Sequence, residues 1–122
     1  MSIINYHIID IIMVKEITNI QAFADALADP HHELQVIDFY AQWCGPCKVF
    51  APKFEIMSTR YPNVGFYKID TDQPDILDVV NACEITSLPT FCFFQNGIYI
   101  TKISGADEMA ISSTINTYLP QC

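Results

Sequence analysis

The sequence predicts an α/β domain in which helices cover both faces of a central mixed sheet of five strands. Apolar runs of strand length alternate with segments of helical periodicity along the chain. The run Leu34–Tyr40 is almost continuously apolar, which is typical of a strand buried on both faces of a partly parallel sheet. Asn96-Gly97 lies between two further strand-like runs and predicts an antiparallel hairpin.

The first half of the chain begins with a short predicted strand at residues 13–17. Asn19 is the expected N-cap of a helix that continues to Ala28 and ends before Asp29-Pro30. The expected buried face of this helix consists of residues at helical spacing: Ile20, Phe23, Ala24 and Leu27.

A second helix is predicted over residues 44–60, directly after the central strand. Pro52 lies inside this helix and predicts a kink. The residues expected to face the core are Val49, Phe50, Phe54 and Met57. A third strand follows at residues 64–70, where apolar residues alternate with others.

The second half begins with a helix predicted over residues 72–82, with Pro74 in its first turn. The hairpin strands then occupy residues 90–95 and 98–104. Asp107 is the expected cap of a last helix that ends at Leu119. Its candidate core residues are Met109, Ile111, Ile115, Tyr118 and Leu119. The complete order is β-α-β-α-β-α-β-β-α, with four helices around the sheet.

Length and composition indicate one globular domain at residues 13–122, preceded by a short extension at residues 1–12. Hydrophobic residues make up 51% of the chain, so a compact core is expected rather than a disordered chain. The net charge of −8, with only six Lys and Arg residues, argues against nucleic acid or an anionic membrane as a partner.

The extension is rich in Ile, and three interpretations stay open: an extra strand, an oligomerisation edge, or an artefact of start-site choice with Met13 as the true initiator. It lacks the basic region and the small-residue cleavage site of a signal peptide. It is also too short to span a bilayer. We therefore expect a cytoplasmic protein without a membrane anchor.

Five cysteines, an odd number, fit poorly with a fully bridged secreted scaffold and favour a reducing compartment. Cys83 and Cys92 are expected to be small packing residues, although a regulatory role is left open. We expect a monomer, with a dimer through Cys122 or the N-terminal extension as the alternative.

The segment Trp43-Cys44-Gly45-Pro46-Cys47-Lys48 follows the central strand and begins a helix. Unpartnered N–H groups and the positive end of the helix dipole favour a thiolate there. Cys47 lies one helical turn after Cys44, so the pair can form a small disulfide ring and reopen it. The alternative is half of a zinc site, but no second close pair of Cys or His supplies the other ligands, so no metal is expected.

Asp38 interrupts the apolar central strand and must be desolvated unless it is paired. Burial should raise the pKa of its carboxyl. Such a group suits proton transfer to and from Cys47, directly or through a water. The alternative is a structural ion pair without a kinetic role.

Residues 36–48, Val-Ile-Asp-Phe-Tyr-Ala-Gln-Trp-Cys-Gly-Pro-Cys-Lys, resemble the active-site segment of the thioredoxin family. Lys-Ile-Asp-Thr-Asp at 68–72, Ser-Leu-Pro-Thr-Phe at 87–91, Phe-Gln-Asn-Gly at 94–97 and Gly-Ala at 105–106 follow in that family's order and spacing. The resemblance covers residues 13–119 and implies the thioredoxin fold.

The resemblance implies a protein-disulfide reductase and electron carrier that binds no cofactor itself. A separate NADPH-dependent thioredoxin reductase would recycle it, and its clients would be disulfide-containing proteins such as peroxiredoxins. Cys44 would be the nucleophile, because it lies at the helix start, and Cys47, turned inward, would resolve the mixed disulfide. Gly45-Pro46 resembles the reducing members of the family. A redox-dependent binding module that docks a partner without turnover is the rival hypothesis.

The resemblance also implies that Lys68 pairs with Asp38 and that the Leu88-Pro89 bond is cis. The backbone of Leu88 would then lie beside the sulfurs, where an extended client segment can pair by strand addition. The implied docking face consists of Trp43, Gly45, Pro46, Leu88, Pro89, Gly105 and Ala106. Such a face recognises backbone and shape, so broad client choice is expected.

Overall fold

A computed structural model describes residues 14–119, which form a five-stranded sheet and four α-helices. The predicted fold class is confirmed. The interpretations of residues 1–12, of Met13 as initiator and of Cys122 as a cross-linking residue lie outside the described residues. In residues 14–119, no helix is both long and apolar enough to cross a membrane.

The elements follow the predicted order: β1 (Val14–Glu16), α1 (Ile20–Leu27), β2 (Leu34–Tyr40), α2 (Gly45–Arg60), β3 (Val64–Asp70), a 3-10 turn (Pro74–Ile76), α3 (Leu77–Ala82), β4 (Thr90–Gln95), β5 (Ile98–Ser104) and α4 (Glu108–Tyr118). Boundaries agree with the predicted ranges to within a residue, except at the third helix.

The strand order in the sheet is β1-β3-β2-β4-β5. β1 and β2 both pair with β3 in parallel, whereas β2 with β4 and β4 with β5 are antiparallel. β2 is therefore the central strand, and the chain leaves it at the sheet edge immediately before the paired cysteines. Within β2, Asp38 lies opposite Lys68 on β3 and opposite Phe91 on β4.

Two hydrophobic clusters lie on opposite faces of the sheet. Ile37 and Phe39 of β2 belong to the cluster that contains buried residues of α1 and α3, whereas Val36 belongs to the cluster with α2 and α4. Alternate residues of a strand point to opposite faces, so Asp38 shares the face of Val36. The carboxyl is therefore on the side of α2, the helix that carries Cys47.

Aromatic side chains hold α2 against the sheet. The ring of Phe54 lies 5.1 Å from that of Phe66 and 5.4 Å from that of Phe91, measured between centroids, and Phe50 lies 5.3 Å from Phe91. All of these residues are buried. Each aromatic pair adds roughly 0.5–1.5 kcal/mol beyond its buried area. This packing fixes the helix whose first turn contains the cysteine pair.

The predicted hairpin is confirmed by the backbone at its turn. Asn96 has a φ of 53° and Gly97 a φ of 80°. A two-residue hairpin loop with a type I′ turn requires a positive φ at both of its residues. The Asn96 N–H also donates to the Glu33 carbonyl at 2.9 Å, which ties the turn to the chain before β2. A one-residue register irregularity between Phe93 and Phe94 interrupts the β4–β5 pairing.

One element differs from the sequence-based expectation. The helix predicted over residues 72–82 is divided into the 3-10 turn and α3. Asp70 explains the later start, because its Oδ1 accepts the Asp72 N–H at 3.0 Å and its carbonyl accepts the Gln73 N–H at 3.1 Å, which holds the intervening residues in a turn. Pro74 occupies the first turn, as predicted. α2 is continuous through Pro52. A continuous helix can be bent or straight, so the predicted kink stays a prediction.

Four residues expected in the core are exposed, namely Ile20, Ala24, Val49 and Met109. In α2 the buried stripe runs through Cys47, Phe50, Phe54 and Met57, at spacings of three and four residues. Val49 is one residue off this stripe, about 100° around the helix axis, and faces solvent. The prediction that these four residues are buried rested on their apolar character alone and is wrong.

Both predicted N-caps are confirmed. Asn19 Oδ1 accepts the Ala22 N–H at 2.8 Å, and Asp107 Oδ1 accepts the Ala110 N–H at 3.0 Å. Each side chain thereby satisfies one of the N–H groups that a helix leaves unpaired at its start.

The Asp107 cap gives a testable stability effect. Asp107→Ala should lower the free energy of unfolding by about 1 kcal/mol, because the first turn of α4 loses its side-chain acceptor. Urea denaturation followed by circular dichroism measures the change. Asp107→Asn is the matched control and should retain most of the stability, since its amide oxygen can accept the same bond. Equal losses in the two variants would mean that the side-chain hydrogen bond is not the source of the stability.

Candidate redox site

The chain between β2 and α2 builds the site from backbone hydrogen bonds. Cys44 is the N-cap of α2, and its N–H donates to the Ala41 carbonyl at 3.2 Å. Its Sγ accepts the Cys47 N–H at 3.2 Å, in the way a capping oxygen would. Pro46 occupies the first turn, where the N–H it lacks would have had no helical partner.

A disulfide joins Cys44 and Cys47. Their exposed fractions are 5% and 3%, so both sulfurs are buried in this oxidised form. Exposure therefore does not distinguish Cys44 from Cys47 in this state. Their hydrogen bonding does distinguish them, because Cys44 Sγ receives a helix N–H and a thiolate there is stabilised by the helix N-terminus. The nucleophilic role of Cys44 stays a prediction, now supported by this bond.

Residues distant in sequence meet at the disulfide. The Leu88-Pro89 bond is cis, as the resemblance implied. The half-buried Leu88 packs against a small cluster of Ala41, Cys44 and Cys47.

The loop after β5 is tied to the same place. The Gly105 N–H donates to the Pro89 carbonyl at 2.8 Å, and Gly105 has a φ of 95°, a backbone conformation that side chains disfavour. This bond brings Gly105 and Ala106 to the face that carries the cis proline.

The surface around the disulfide is apolar and shallow. Trp43 is 71% exposed, and its Nε1–H donates to Asp72 Oδ2 at 2.9 Å, which fixes the orientation of the indole. Pro46 and Ala106 line one depression together with Val49, Phe50 and Lys53. Trp43 and Leu88 line a second with Thr71, Val80, Ile85, Thr86 and Ser87. The predicted docking residues thus lie around the disulfide, while their role in binding clients stays a prediction.

Sequence reasoning missed Asp72 as the partner of Trp43. A signal was present, because Asp72 follows the carboxyl end of β3, and the carboxyl ends of parallel neighbours β2 and β3 meet at one edge of the sheet.

Asp38 is buried, with 4% of the residue exposed, and its Oδ1 has no hydrogen-bond partner among residues 14–119. Burial raises the pKa of its carboxyl to about 7; the positive charge of Lys68 opposes this rise and the negative charge of Glu16 adds to it. The carboxyl thus changes its charge near neutral pH, as expected from its place in an apolar strand.

A cavity of about 210 Å³ connects this carboxyl with the second cysteine. Asp38, Cys47 and Lys68 are among its lining residues, which also include Tyr40, Ala41, Gln42, Lys48 and Ala51. A cavity of this size, with polar side chains in its lining, has room for a bridging water. Asp38 and Cys47 thus line one cavity, while proton exchange between them stays a prediction.

The implied pairing of Lys68 with Asp38 requires correction. Lys68 lies opposite Asp38 in the sheet, but its ion pair is with Glu16, Nζ to Oε1 at 3.9 Å, and its Nζ is 5.8 Å from the centre of the Tyr40 ring. Glu16 on β1 is also in register with Lys68, on the side of β3 opposite β2. Among the described residues, Lys68 makes no ion pair with Asp38. The charge of Lys68 lowers the pKa of the Asp38 carboxyl without an ion pair between the two side chains.

Glu16 and Tyr40 are further neighbours that sequence reasoning missed. The Tyr40 hydroxyl donates to Glu16 Oε1 at 2.8 Å and lies 3.0 Å from Oε2. Burial and this hydrogen bond raise the pKa of the Tyr40 phenol. Tyr40, but not Glu16, lines the Asp38 cavity together with Lys68. The contact between Glu16 and Tyr40 is visible only once the strands are in register, because the two residues are far apart in sequence.

Across residues 14–119, no group of three or more His, Cys, Asp and Glu side chains is placed to hold a metal ion. The chemistry available to the described site is that of two thiols, one carboxyl and the helix N-terminus.

Comparisons with known proteins give consistent matches. Residues 14–117 match the protein-family model described as Thioredoxin. A thioredoxin-like protein of Acanthamoeba polyphaga mimivirus is 45% identical over 102 residues, which cover 84% of this chain and 74% of that protein. The thioredoxin of Homo sapiens is 43% identical over 104 residues, covering 85% and 97% of the two chains.

Solved structures agree with the sequence comparisons. The oxidised form of mitochondrial thioredoxin 3 from Saccharomyces cerevisiae superimposes with a TM-score of 0.78 at 36% identity, covering 85% of this chain and 94% of that one. Sequence and structure therefore point to the same family.

Proposed function

The chain belongs to the thioredoxin family of protein-disulfide oxidoreductases, and we propose that a separate NADPH-dependent thioredoxin reductase recycles it after each turnover. Its activity is thiol–disulfide exchange at Cys44 and Cys47, by which it reduces disulfides in client proteins. The observation that carries this function is the Cys44–Cys47 disulfide at the start of α2, beside a cis proline.

The proposed mechanism begins with the reduced dithiol. The Cys44 thiolate attacks one sulfur of a client disulfide; a bond forms between the two sulfurs and the other client sulfur leaves as a thiolate. The Cys47 thiol then loses its proton to Asp38, across the shared cavity, and attacks Cys44 Sγ. The second client sulfur leaves, and the Cys44–Cys47 disulfide remains. Two electrons have passed to the client, and two must return from the reductase.

The client is proposed to dock on the apolar face formed by Trp43, Pro46, Leu88 and Ala106. Support comes from the exposure of Trp43 and from the depressions on both sides of the disulfide. An extended client segment would pair with backbone next to the cis proline. Peroxiredoxins are proposed as one class of clients, since they can present a disulfide to this face.

The proposal also places the protein in the cytoplasm. Its support is the odd number of five cysteines, which fits poorly with a fully bridged secreted scaffold.

Insulin reduction tests the proposed recycling. With dithiothreitol as electron donor, the protein should accelerate the precipitation of reduced insulin chains. With NADPH and a purified thioredoxin reductase in place of dithiothreitol, it should support continuous NADPH oxidation that depends on insulin. Activity with dithiothreitol alone would leave the reductase function intact and overturn the recycling partner. Inactivity in both assays would favour a module that binds partners without turnover.

A further inference from the structure

A second pair of thiols lies in the core, away from the first. Cys83 is the C-cap residue of α3, and Cys92 lies in the middle of β4. Both are free and buried, and both belong to the cluster on the face of the sheet opposite α2. Hydrogen bonding between the two thiols shifts the pKa of each, and both residues adjoin Lys102 of β5. The mechanism at Cys44 and Cys47 uses neither of them.

The two thiols differ in access. Cys83 is 8% exposed at the end of a helix, whereas Cys92 is fully buried between its strand neighbours. A small molecule can therefore reach Cys83 before it reaches Cys92.

A fixed positive charge lies beside this pair. Lys102 on β5 is the register partner of Cys92. Its Nζ donates to the Cys83 carbonyl at 3.3 Å and to the Glu84 carbonyl at 2.8 Å. The hydrogen bond from Cys92 and the nearby Lys102 charge lower the pKa of the Cys83 thiol against the opposing effect of burial. The pKa of Cys92 is raised, first by the same bond and then by burial. Access and the lowered pKa therefore both favour Cys83 as the attacking sulfur.

From this geometry we propose that Cys83 and Cys92 are a second dithiol, which hydrogen peroxide and other small hydroperoxides convert into an intramolecular disulfide. The Cys83 thiolate attacks the peroxide; an S–O bond forms, the O–O bond breaks, and hydroxide leaves. Cys92 then attacks the sulfenic sulfur of Cys83, the S–O bond breaks, and water is released. Overall, two thiols and one hydrogen peroxide give one disulfide and two waters.

Mass spectrometry of the full chain tests the proposal in a background of Cys44→Ser, Cys47→Ser and Cys122→Ser, which leaves only this pair. After peroxide treatment, unfolding and alkylation, we expect no alkylated cysteine and a peptide that links Cys83 to Cys92. Because the redox site is absent from this background, the outcome is independent of the proposed recycling. Full alkylation of both thiols after peroxide would overturn the proposal.

Single substitutions in that background separate the roles of the two sulfurs. Cys92→Ala, which suits the apolar surroundings, should leave Cys83 as a sulfenic acid that dimedone traps. In Cys83→Ser, peroxide should oxidise the remaining thiol of Cys92 at least about tenfold more slowly than it oxidises Cys83 in the parent background. Dimedone labelling of Cys92 but not of Cys83 would contradict the assignment. Thermal unfolding of each variant confirms that it is folded under the assay conditions.

A charge variant tests the contribution of Lys102. Lys102→Gln should slow peroxide oxidation roughly threefold to tenfold, because the thiolate of Cys83 loses a nearby positive charge. Lys15→Gln, on the edge strand β1, is the matched control and should leave the rate unchanged. Equal rates for the two variants would show that Lys102 does not activate Cys83.

Discussion

Cys44→Ser is expected to abolish client reduction, with a fall of at least about a thousandfold in rate, because a hydroxyl does not ionise near neutral pH and cannot replace the thiolate. Cys47→Ser should stop the reaction one step later. Its Cys44 thiolate can still attack a client, but no second sulfur at this site releases the mixed disulfide. The difference between the two variants identifies which sulfur attacks first.

Insulin turbidity measures turnover, and mass spectrometry under non-reducing conditions detects the trapped complex. Cys47→Ser should accumulate a complex with a disulfide-containing client, and Cys44→Ser should not. Cys83→Ser is the matched control, since it removes a buried thiol outside this site and should retain turnover. A complex trapped only by Cys44→Ser would reverse the two roles.

The fold was largely predictable because local and long-range signals agree. The apolar run of β2, the Asn96-Gly97 turn and the Asn19 and Asp107 caps each specify their element through neighbouring residues. The burial of individual helix residues was less predictable. Val49 is apolar, yet the direction in which α2 packs is set by its contacts with the sheet, such as those of Phe54 with Phe66 and Phe91.

The site was predictable where residues lie next to one another in sequence or match a known motif. The dithiol, the cis proline and the buried carboxyl are of this kind. The contacts of Lys68 with Glu16 and of Trp43 with Asp72 are not, because they depend on strand register and on rotamers that no short motif encodes. The interaction of Cys83 with Cys92 likewise appears only when α3 packs against the sheet.

Asp38→Asn should stabilise the protein at pH 8 by an amount on the order of a few kcal/mol. Burial raises the native pKa of this carboxyl from 3.8 to about 7. Between these two values the native state holds a proton that the unfolded state has lost, so the wild-type free energy of unfolding decreases as pH rises through this range. Above about pH 7 the cost of burying the charge is complete, and the neutral amide avoids it.

The same substitution should slow the resolving step at pH 7, by roughly tenfold to a hundredfold, because Cys47 loses its proton acceptor. The step is measured as client release from a preformed mixed disulfide at Cys44, which removes the titration of the attacking Cys44 from the profile. The wild-type rate should fall as pH decreases below about 7, as Asp38 becomes protonated. Asp38→Asn should lose this dependence.

Stability and kinetics together distinguish the two interpretations of Asp38. Asp75→Asn, which removes an exposed carboxylate from the 3-10 turn, is the control and should change neither quantity. If Asp38→Asn raises stability while client release keeps its rate and its pH dependence, the carboxyl has only a structural role. If both change, the buried charge that destabilises the fold is the same group that accepts the Cys47 proton. The cost in stability would then be a consequence of placing a proton acceptor inside the sheet, on the face that carries the second cysteine.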